Sequence, residues 1–561
     1  MFNPLFSYNS LNLPSSKVPS NRDEWPPNAY RRKHFGQHVL WHEYLDDQEQ
    51  VVSNQHTSHQ VPRHLSAETL EKYRQVGDPA FDEILDLYAR EGRPLQAGDD
   101  IFDRIPLNDS DIDTDATTNK NTQRPHFTEA DRALQEMFRE FSDIPSWVDL
   151  AQLQRGRDVF LAYFPAIGLS LYYKSLVPGF SIPKIAAVLQ ATAYLAPPAS
   201  KTAVQERLLD TGAFLGTCLR SHDVAGILPG GEGWKSALRV RLLHAKVRRR
   251  LLSKTGNRVW DTHQLGVPIN QEDMAATLLA FSTNSLLGCE MILGGRPLPL
   301  QDRLDYLALW RYLGWLLGVP VISSSYGGND GQPRVESKSD MIIPLDPCGP
   351  GWYEYHPNPV DHSYAIFQSI IFHSLHPNEA SVTISHHLLR QGRRKDGDNK
   401  AIDDKIASTK RKTKEELEQS DQSWFMFRSY QCRRFIGDEL ADALLLPLPS
   451  TIWGKFRLWC FSQLYFSIMT LYTIAGLPWS PFRRRLIAWH RKHTKTFVEK
   501  WNDSHLERMH KRIHGVSSNP NAMDNESLDT GGGIPKNGGS VCPFAMVLLP
   551  DNTTNWSIHD K

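Results

Sequence analysis

The sequence predicts an all-α fold, and three observations carry that prediction. Apolar residues recur at three- and four-residue spacings in one segment after another from Phe127 to Leu446. Pro and Gly separate these segments, as they do between helices. Alternation with a period of two, which marks half-buried strands, is scarce. A chain of 561 residues exceeds one typical domain, so we expect one large helical domain with extensions.

Composition excludes several classes of protein. Lys plus Arg and Asp plus Glu both total 63, so the net charge is zero and a nucleic-acid partner is not expected. The six cysteines are scattered without a CxxC pair, which indicates reduced thiols in an intracellular protein. The N-terminus has no basic segment leading into an apolar run, so we predict no secretory signal peptide. We expect a cytoplasmic or endoplasmic-reticulum membrane-associated protein.

Changes in composition divide the chain into three parts. Residues 1–125 are predicted to be an irregular extension, because early prolines interrupt it and residues 108–123 are a polar, flexible linker. Residues 126–490 form the predicted helical domain, with a charge-rich insertion at 391–422. Residues 491–561 are predicted to be a polar tail, disordered in part.

Two local signals fix helix starts. Thr128, with Asp131 three residues later, is a capping signal. Asn270 is the predicted N-cap of the helix that follows Pro268. Helical patterning also covers a longer series of segments: 81–88, 155–164, 169–176, 183–195, 201–220, 302–317, 364–375, 380–389 and 424–446.

A stretch of 25 residues, Leu458 to Phe482, contains no charge. That length is enough to span the roughly 30 Å hydrocarbon core of a bilayer. Its hydrophobicity is lowered by Gln463, several Ser and Thr, and two prolines. A membrane span, peripheral membrane contact and a buried core helix all remain open.

The chain is organised around Lys235 to Lys254. On a helix, Val240, His244, Val247 and Leu251 lie on one stripe, apolar except for the histidine. Arg241 and Arg248 lie one turn before and after His244. This arrangement suits haem, because an imidazole can ligate the haem iron and arginines can form ion pairs with the haem propionates. A hydrogen-bonded core histidine on a basic, solvated helix is the alternative.

Other catalytic patterns are weak. Six histidines gather between His356 and His387, which suggests a non-haem metal site, but their spacing matches no standard ligand set and HExxH is absent. No GxSxG elbow exists, so an α/β-hydrolase has no support.

Five ordered motifs resemble one family, the catalytic domain shared by latex-clearing rubber oxygenases and the endoplasmic-reticulum-bound oxygenase of mycophenolic acid biosynthesis. They are RLLDTGAFL (207–215), VRLLHAKVR (240–248), GVPINQEDMAATLLAFS (266–282), YLALWRYLGWLLGVP (306–320) and FIGDELADALLLP (435–447). The resemblance implies an all-α, globin-like helical core that binds haem b through His244. It also implies that Arg207 and Thr211 lie on the distal side of the haem.

The resemblance implies a haem-b-dependent oxygenase that uses O₂ to cleave a C=C bond of an isoprenoid or other apolar substrate, giving carbonyl products. Asp210 stands where rubber oxygenases carry a lysine, so a lysine cap on the iron is not expected and rubber is a doubtful substrate. The family's glutamate base remains unassigned. Two alternatives stay open: a haem-binding member without oxygenase activity, and a haem-free helical scaffold associated with a membrane.

Overall fold

The structure is a computed structural model of the chain. It describes residues 65, 67–95, 99–104, 128–192, 201–219, 223–253, 260–321, 345–349, 359–375, 377–390 and 414–515, without the side chains of residues 201–207, 372, 414–421, 439 and 500–515. The linker predicted at 108–123, residues 391–413 of the predicted insertion and the tail from residue 516 lie outside the described residues.

The all-α prediction is confirmed, since every regular element in the described ranges is helical. The α-helices are, in chain order, α1 (Ala67–Arg74), α2 (Pro79–Arg90), α3 (Glu129–Ser142), α4 (Leu150–Ala162), α5 (Phe164–Leu169), α6 (Val177–Gly179), α7 (Pro183–Ala191), α8 (Lys201–Leu219), α9 (Glu232–Leu252), α10 (Thr262–Leu265), α11 (Gln271–Phe281), α12 (Thr283–Ile292), α13 (Leu300–Leu316), α14 (Pro359–Ser374), α15 (Glu379–Leu389), α16 (Lys414–Ile436), α17 (Asp438–Ala443), α18 (Ile452–Ala475) and α19 (Arg483–Gly515). A π-helical segment, Ser170–Leu176, joins α5 to α6, and short 3₁₀ turns lie at Ile101–Arg104 and Val224–Ile227.

The central pair of helices is α4 and α13. Gly156 lies directly against the Asp305 carbonyl, so a side chain at position 156 would keep the two helices apart. Arg155 secures the contact with a two-point ion pair to Asp305, with Nε–Oδ2 and Nη2–Oδ1 distances of 2.9 and 3.1 Å. The Tyr306 and Phe160 rings stack beside this crossing. A close, rigid crossing therefore supports the rest of the bundle.

Both predicted caps are present. The Thr128 side chain accepts a hydrogen bond from the Asp131 amide, and the Asp131 carboxylate accepts one from the Thr128 amide, which makes a capping box. The Asn270 side chain accepts from the Asp273 amide at 2.9 Å and begins α11. The local signals in the sequence thus fix these two helix starts.

Several predicted boundaries differ from those observed. The helix predicted over 424–446 breaks at Gly437, whose φ of 83° ends α16, and the chain resumes as α17. The charge-free run from Leu458 is not one element, because α18 ends at Ala475 and a turn follows. Helix α19 runs from Arg483 to Gly515 and so includes residue 490, and the predicted end of the domain there stays a prediction.

The segment preceding the predicted domain contributes to the core. Phe81 and Tyr88 of α2 are fully buried, and α2 packs against α3 and α9. The short amphipathic helix predicted around Phe81 is therefore present, and it packs on the helix that carries His244.

Candidate functional site

Helix α9 carries the candidate site. It starts after Gly231, which lies against the carbonyls of Ala225 and Gly226 where a side chain would not fit. The Trp234 indole Nε1 donates to the Phe141 carbonyl at 3.1 Å and fixes the first turn. The helix packs against α2, α8 and α13, so its middle turns lie in the interior.

His244 lies in the middle of α9 as a neutral imidazole. Burial, reinforced by the positive charge of Arg248, lowers the pKa of His244 to about 4, although Asp78 acts in the opposite direction. Its Nδ1 atom is buried and has no hydrogen-bond partner among the described residues. A buried imidazole nitrogen without a partner is costly, and an unprotonated imidazole is the form that binds metal. Val240 and Val247 are half-buried like His244, so this stripe keeps part of its surface accessible.

Arg241 forms a buried two-point ion pair with Asp78, the residue before α2. The Nε–Oδ2 and Nη2–Oδ1 distances are 2.6 and 2.8 Å. The guanidinium carbon lies 4.9 Å from the ring centroids of both Phe81 and Phe141. Arg241 Nη1 is buried and has no partner within the described part of the chain. One donor of this guanidinium is therefore available for a further acceptor.

Arg248 uses all three of its nitrogens. Its Nη1 donates to Asp82 at 2.6 Å, Nε to the Pro268 carbonyl at 3.1 Å, and Nη2 to the Ile269 carbonyl at 3.0 Å. Ile269 has a φ of 53°, a strained value for a β-branched residue. Arg248 thus joins α9 to α2 and holds the loop before α11 in its strained form.

Asp78 and Asp82, the acidic partners of these two arginines, were not predicted from the sequence. Both belong to the segment interpreted as an irregular extension. The signal available was modest: an aspartate before Pro79 at the start of an amphipathic helix is a common N-terminal pattern. That pattern does not indicate that the aspartates reach another helix.

Helix α8 carries the two predicted distal residues. Arg207 and Thr211 lie one turn apart on it, and α8 packs against α9, so the structure brings the two candidate helices into contact. Thr211 and Asp210 are half-buried. The side chain of Arg207 lies outside the described side chains, so its distal position stays a prediction.

The histidine-rich region does not assemble into a cluster in the described part. His362 Nε2 lies 3.2 Å from the Leu345 carbonyl, and His386 Nε2 lies 2.9 Å from that of Leu444. The described ranges contain no group of three or more His, Cys, Asp or Glu side chains placed to hold a metal ion. His356 and His376 lie outside the described residues.

A second buried polar cluster lies where α1, α11 and α14 meet. Glu272 binds Arg74 and accepts a hydrogen bond from Ser374 Oγ at 2.8 Å. Burial raises the pKa of Glu272, and burial beside Glu272 raises that of Asp273 to about 7. The cluster joins three helices by an ion pair and by hydrogen bonds to Ser374, and we interpret it as structural.

The comparisons with known proteins bear on this geometry. Residues 181–397, which include α8, α9 and the Arg248-bound loop, match the family described as "ER-bound oxygenase mpaB/B'/Rubber oxygenase, catalytic domain". The family resemblance is confirmed. The match contains the helices that carry His244, Arg207 and Thr211 but extends over less than half of the chain. The match supports an oxygenase-type function at this coarse level.

The other two comparisons add little. One solved structure, of latex clearing protein in its closed state, aligns with a TM-score of 0.40 at 17% identity, covering 76% of this chain and 90% of that one. No curated protein matches the chain.

Proposed function

We propose that this protein is a haem-b-dependent oxygenase that uses O₂ to cleave a C=C bond of an isoprenoid or other apolar substrate. The observation that carries the proposal is the neutral His244 imidazole, whose buried Nδ1 has no hydrogen-bond partner among the described residues, inside the segment that matches an oxygenase family.

The residues present fit a haem. His244 offers a neutral nitrogen, and half-buried valines lie one turn on each side of it on the same helix face. Arg241 offers one unpartnered donor, Nη1, for a propionate. Arg248 is committed to Asp82 and two carbonyls, so we expect it to act on a propionate mainly through its charge.

When bound, haem b supplies the redox-active iron needed for O₂ chemistry. The chain's own contribution is orientation and electrostatics. Arg207 and Thr211 would donate hydrogen bonds to the co-substrate O₂, help to orient it and stabilise the negative charge that develops on its oxygen atoms during the reaction. The apolar helices around the site would hold an apolar chain and exclude water. The products expected are two carbonyl fragments.

We propose a cytoplasmic or endoplasmic-reticulum membrane location. The family description includes ER-bound enzymes. The described ranges contain two helical stretches long and apolar enough to cross a membrane, Gln271–Ile292 and Ile452–Ala475, and up to three if a bent pair counts as one span. The first is mostly buried within the protein, and only the second presents a large apolar face outward. That exposed face also favours the second candidate function, a haem-free scaffold at a membrane.

The first test is an absorbance spectrum of the purified protein, together with its haem content. We expect a Soret band in the wild type and little or no haem in His244→Ala. His263→Ala is the matched control, because His263 is exposed on α10 and should leave the haem content unchanged. A colourless wild type that also fails to take up added haem would support the scaffold. Haem binding without oxygen consumption on prenylated substrates would support an inactive haem-binding member.

A further inference from the structure

Helix α18 has its polarity reversed. The stripe that packs on the protein contains small and polar residues as well as apolar ones: Gly454, Leu458, Ser462, Phe466 and Thr473. Most of the exposed side chains of α18 are large and apolar: Ile452, Trp453, Phe456, Trp459, Leu464, Ile468, Leu471, Tyr472 and Ile474. A helix on a water-facing surface shows the opposite arrangement. The outward face of α18 is therefore suited to an apolar surrounding.

The inward stripe holds α18 along the protein surface over its whole length. Arg434 Nη1 donates to Ser462 Oγ at 2.7 Å, and Thr470 Oγ1 donates to the Ile292 carbonyl at 2.8 Å. The helix packs against α5, α12 and α16. Gly476, just after its end, lies against the Ala162 carbonyl. Crossing a bilayer as an isolated span would remove these contacts, so α18 is held as a surface helix.

The apolar face continues beyond the helix. Trp479 in the following turn is 73% exposed, and Phe482 at the start of α19 is 54% exposed. At the other end, Trp453 and Phe456 stack with ring centroids 5.5 Å apart, and Trp453 is 67% exposed. Aromatic side chains thus lie at both ends of an apolar helix about 36 Å long, at 1.5 Å per residue.

The charge around this face is strongly one-sided. Residues 443–498 contain eight Lys and Arg and no Asp or Glu, in a chain whose total charge is zero. Arg483 and Arg491 are bound to Asp302 and Asp158. Of the remaining cations, Lys455 lies on α18 and Arg484 and Arg485 follow the turn after it, and all three are exposed. A partner for this surface must combine an apolar interior with negative charge at its edge.

We propose that α18 and the turn after it form a membrane-docking face that lies in the plane of an anionic bilayer. The apolar stripe would enter the boundary between headgroups and acyl chains, where Trp is favoured. Lys455, Arg484 and Arg485 would contact acidic headgroups at the edge. The docking requires neither haem nor oxygenase activity.

The test is co-sedimentation of the full chain with vesicles of phosphatidylcholine, with and without phosphatidylserine, at low and high salt. We expect binding to the acidic vesicles that weakens with salt. Leu464→Glu combined with Leu471→Glu should abolish it, and Arg484→Glu combined with Arg485→Glu should reduce it at least tenfold. Ile144→Glu and Arg139→Glu are the matched controls, since both are exposed and lie before α4 or on α3.

Each outcome decides the proposal. Failure of the wild type to bind acidic vesicles would overturn it. Equal binding to neutral and acidic vesicles, unaffected by the arginine variants, would overturn the role of charge. A wild type that sediments as a dimer without lipid, and becomes a monomer in the Leu464 and Leu471 double variant, would assign the face to a second copy instead. Haem content, measured in parallel, separates failure of docking from failure of the proposed function.

Discussion

Asp78 and Arg241 lie 163 residues apart in the chain and form a buried two-point ion pair, with two aromatic rings close to the guanidinium. The pair fixes α2 to the helix that carries His244. Gly318, at the end of α13, lies against the same pair. The position of the candidate site thus depends on a residue that precedes the predicted domain.

Removing Asp78 should therefore destabilise the whole protein. Asp78→Ala leaves the Arg241 cation buried and unpaired, which costs about 3–5 kcal/mol in the free energy of unfolding. Denaturant unfolding followed by circular dichroism measures it. Asp86→Ala is the control: Asp86 is 62% exposed where it pairs with Arg249, and the expected cost is about 0–1 kcal/mol. Equal effects of the two substitutions would show that the ion pair is not structural.

The arginines of α9 should affect haem retention to different degrees. Arg241→Leu and Arg248→Leu should both weaken it, while Arg250→Leu, which removes an exposed side chain, should not. Since both buried arginines also hold α2, stability must be measured beside haem content. Asp78→Ala destabilises the fold but keeps the Arg241 cation. We expect Arg241→Leu to lose much more haem than Asp78→Ala. If the two variants lose haem equally, the role of Arg241 is purely structural.

Arg207 should affect catalysis and spare haem binding. Loss of one preorganised donor costs about 3–4 kcal/mol in the transition state, or a rate decrease of about 10²–10³. Arg207→Ala should keep a near-normal Soret band and lose most oxygen-dependent cleavage, and Thr211→Ala should cost less because water can replace a hydroxyl. Haem content and oxygen consumption with a prenylated substrate check this. If haem and activity fall together in Arg207→Ala, the distal assignment is wrong.

The stability of the haem-free protein should decrease in mild acid because of His244. Its pKa is about 4 in the folded state and 6.5 in the reference state. Between these values the unfolded chain binds a proton that the folded chain does not, so the free energy of unfolding falls as the pH decreases from about 6.5 toward 4 and is unaffected by His244 above that window. Within this window, each pH unit lowers the free energy of unfolding by at most about 1.4 kcal/mol.

The matching variant for this experiment is His244→Gln, which cannot titrate. His490, whose pKa burial also lowers to about 4, stays in both proteins, so only the difference between them reports on His244. We expect wild type to lose about 1–2 kcal/mol more than the variant between pH 7 and pH 5, by denaturant unfolding. Parallel stability curves would mean that His244 is not desolvated.

Local sequence patterns predicted the structural features that depend on residues close together in the chain. The caps at Thr128 and Asn270, helix α9 and the buried helices of the middle of the chain follow from spacing and side-chain chemistry over a few residues. The break at Gly437 was missed because the apolar spacing continues across it, and only its positive φ ends the helix.

The partners of Arg241 and Arg248 could not be predicted from local patterns in the sequence. An arginine next to His244 can pair with a propionate or with a carboxylate from another helix, and the sequence around it is the same in both cases. Similarly, the charge-free run could be a core helix or a surface one. The reversed arrangement of α18 becomes visible only when the position of Ser462 against α16 shows which stripe faces inward.

The ion pair between α2 and α9 also sets an order of events during synthesis. Ribosomes add about 5–20 residues per second, so roughly 10–30 s separate the appearance of Asp78 from that of Arg241. During that interval the apolar side of α2, with Phe81 and Tyr88, has no α9 to cover it. Until α9 emerges, only α3, among the described helices, is available to cover that side of the nascent α2, so α2 and α9 can close this part of the core only after residue 241 has been made.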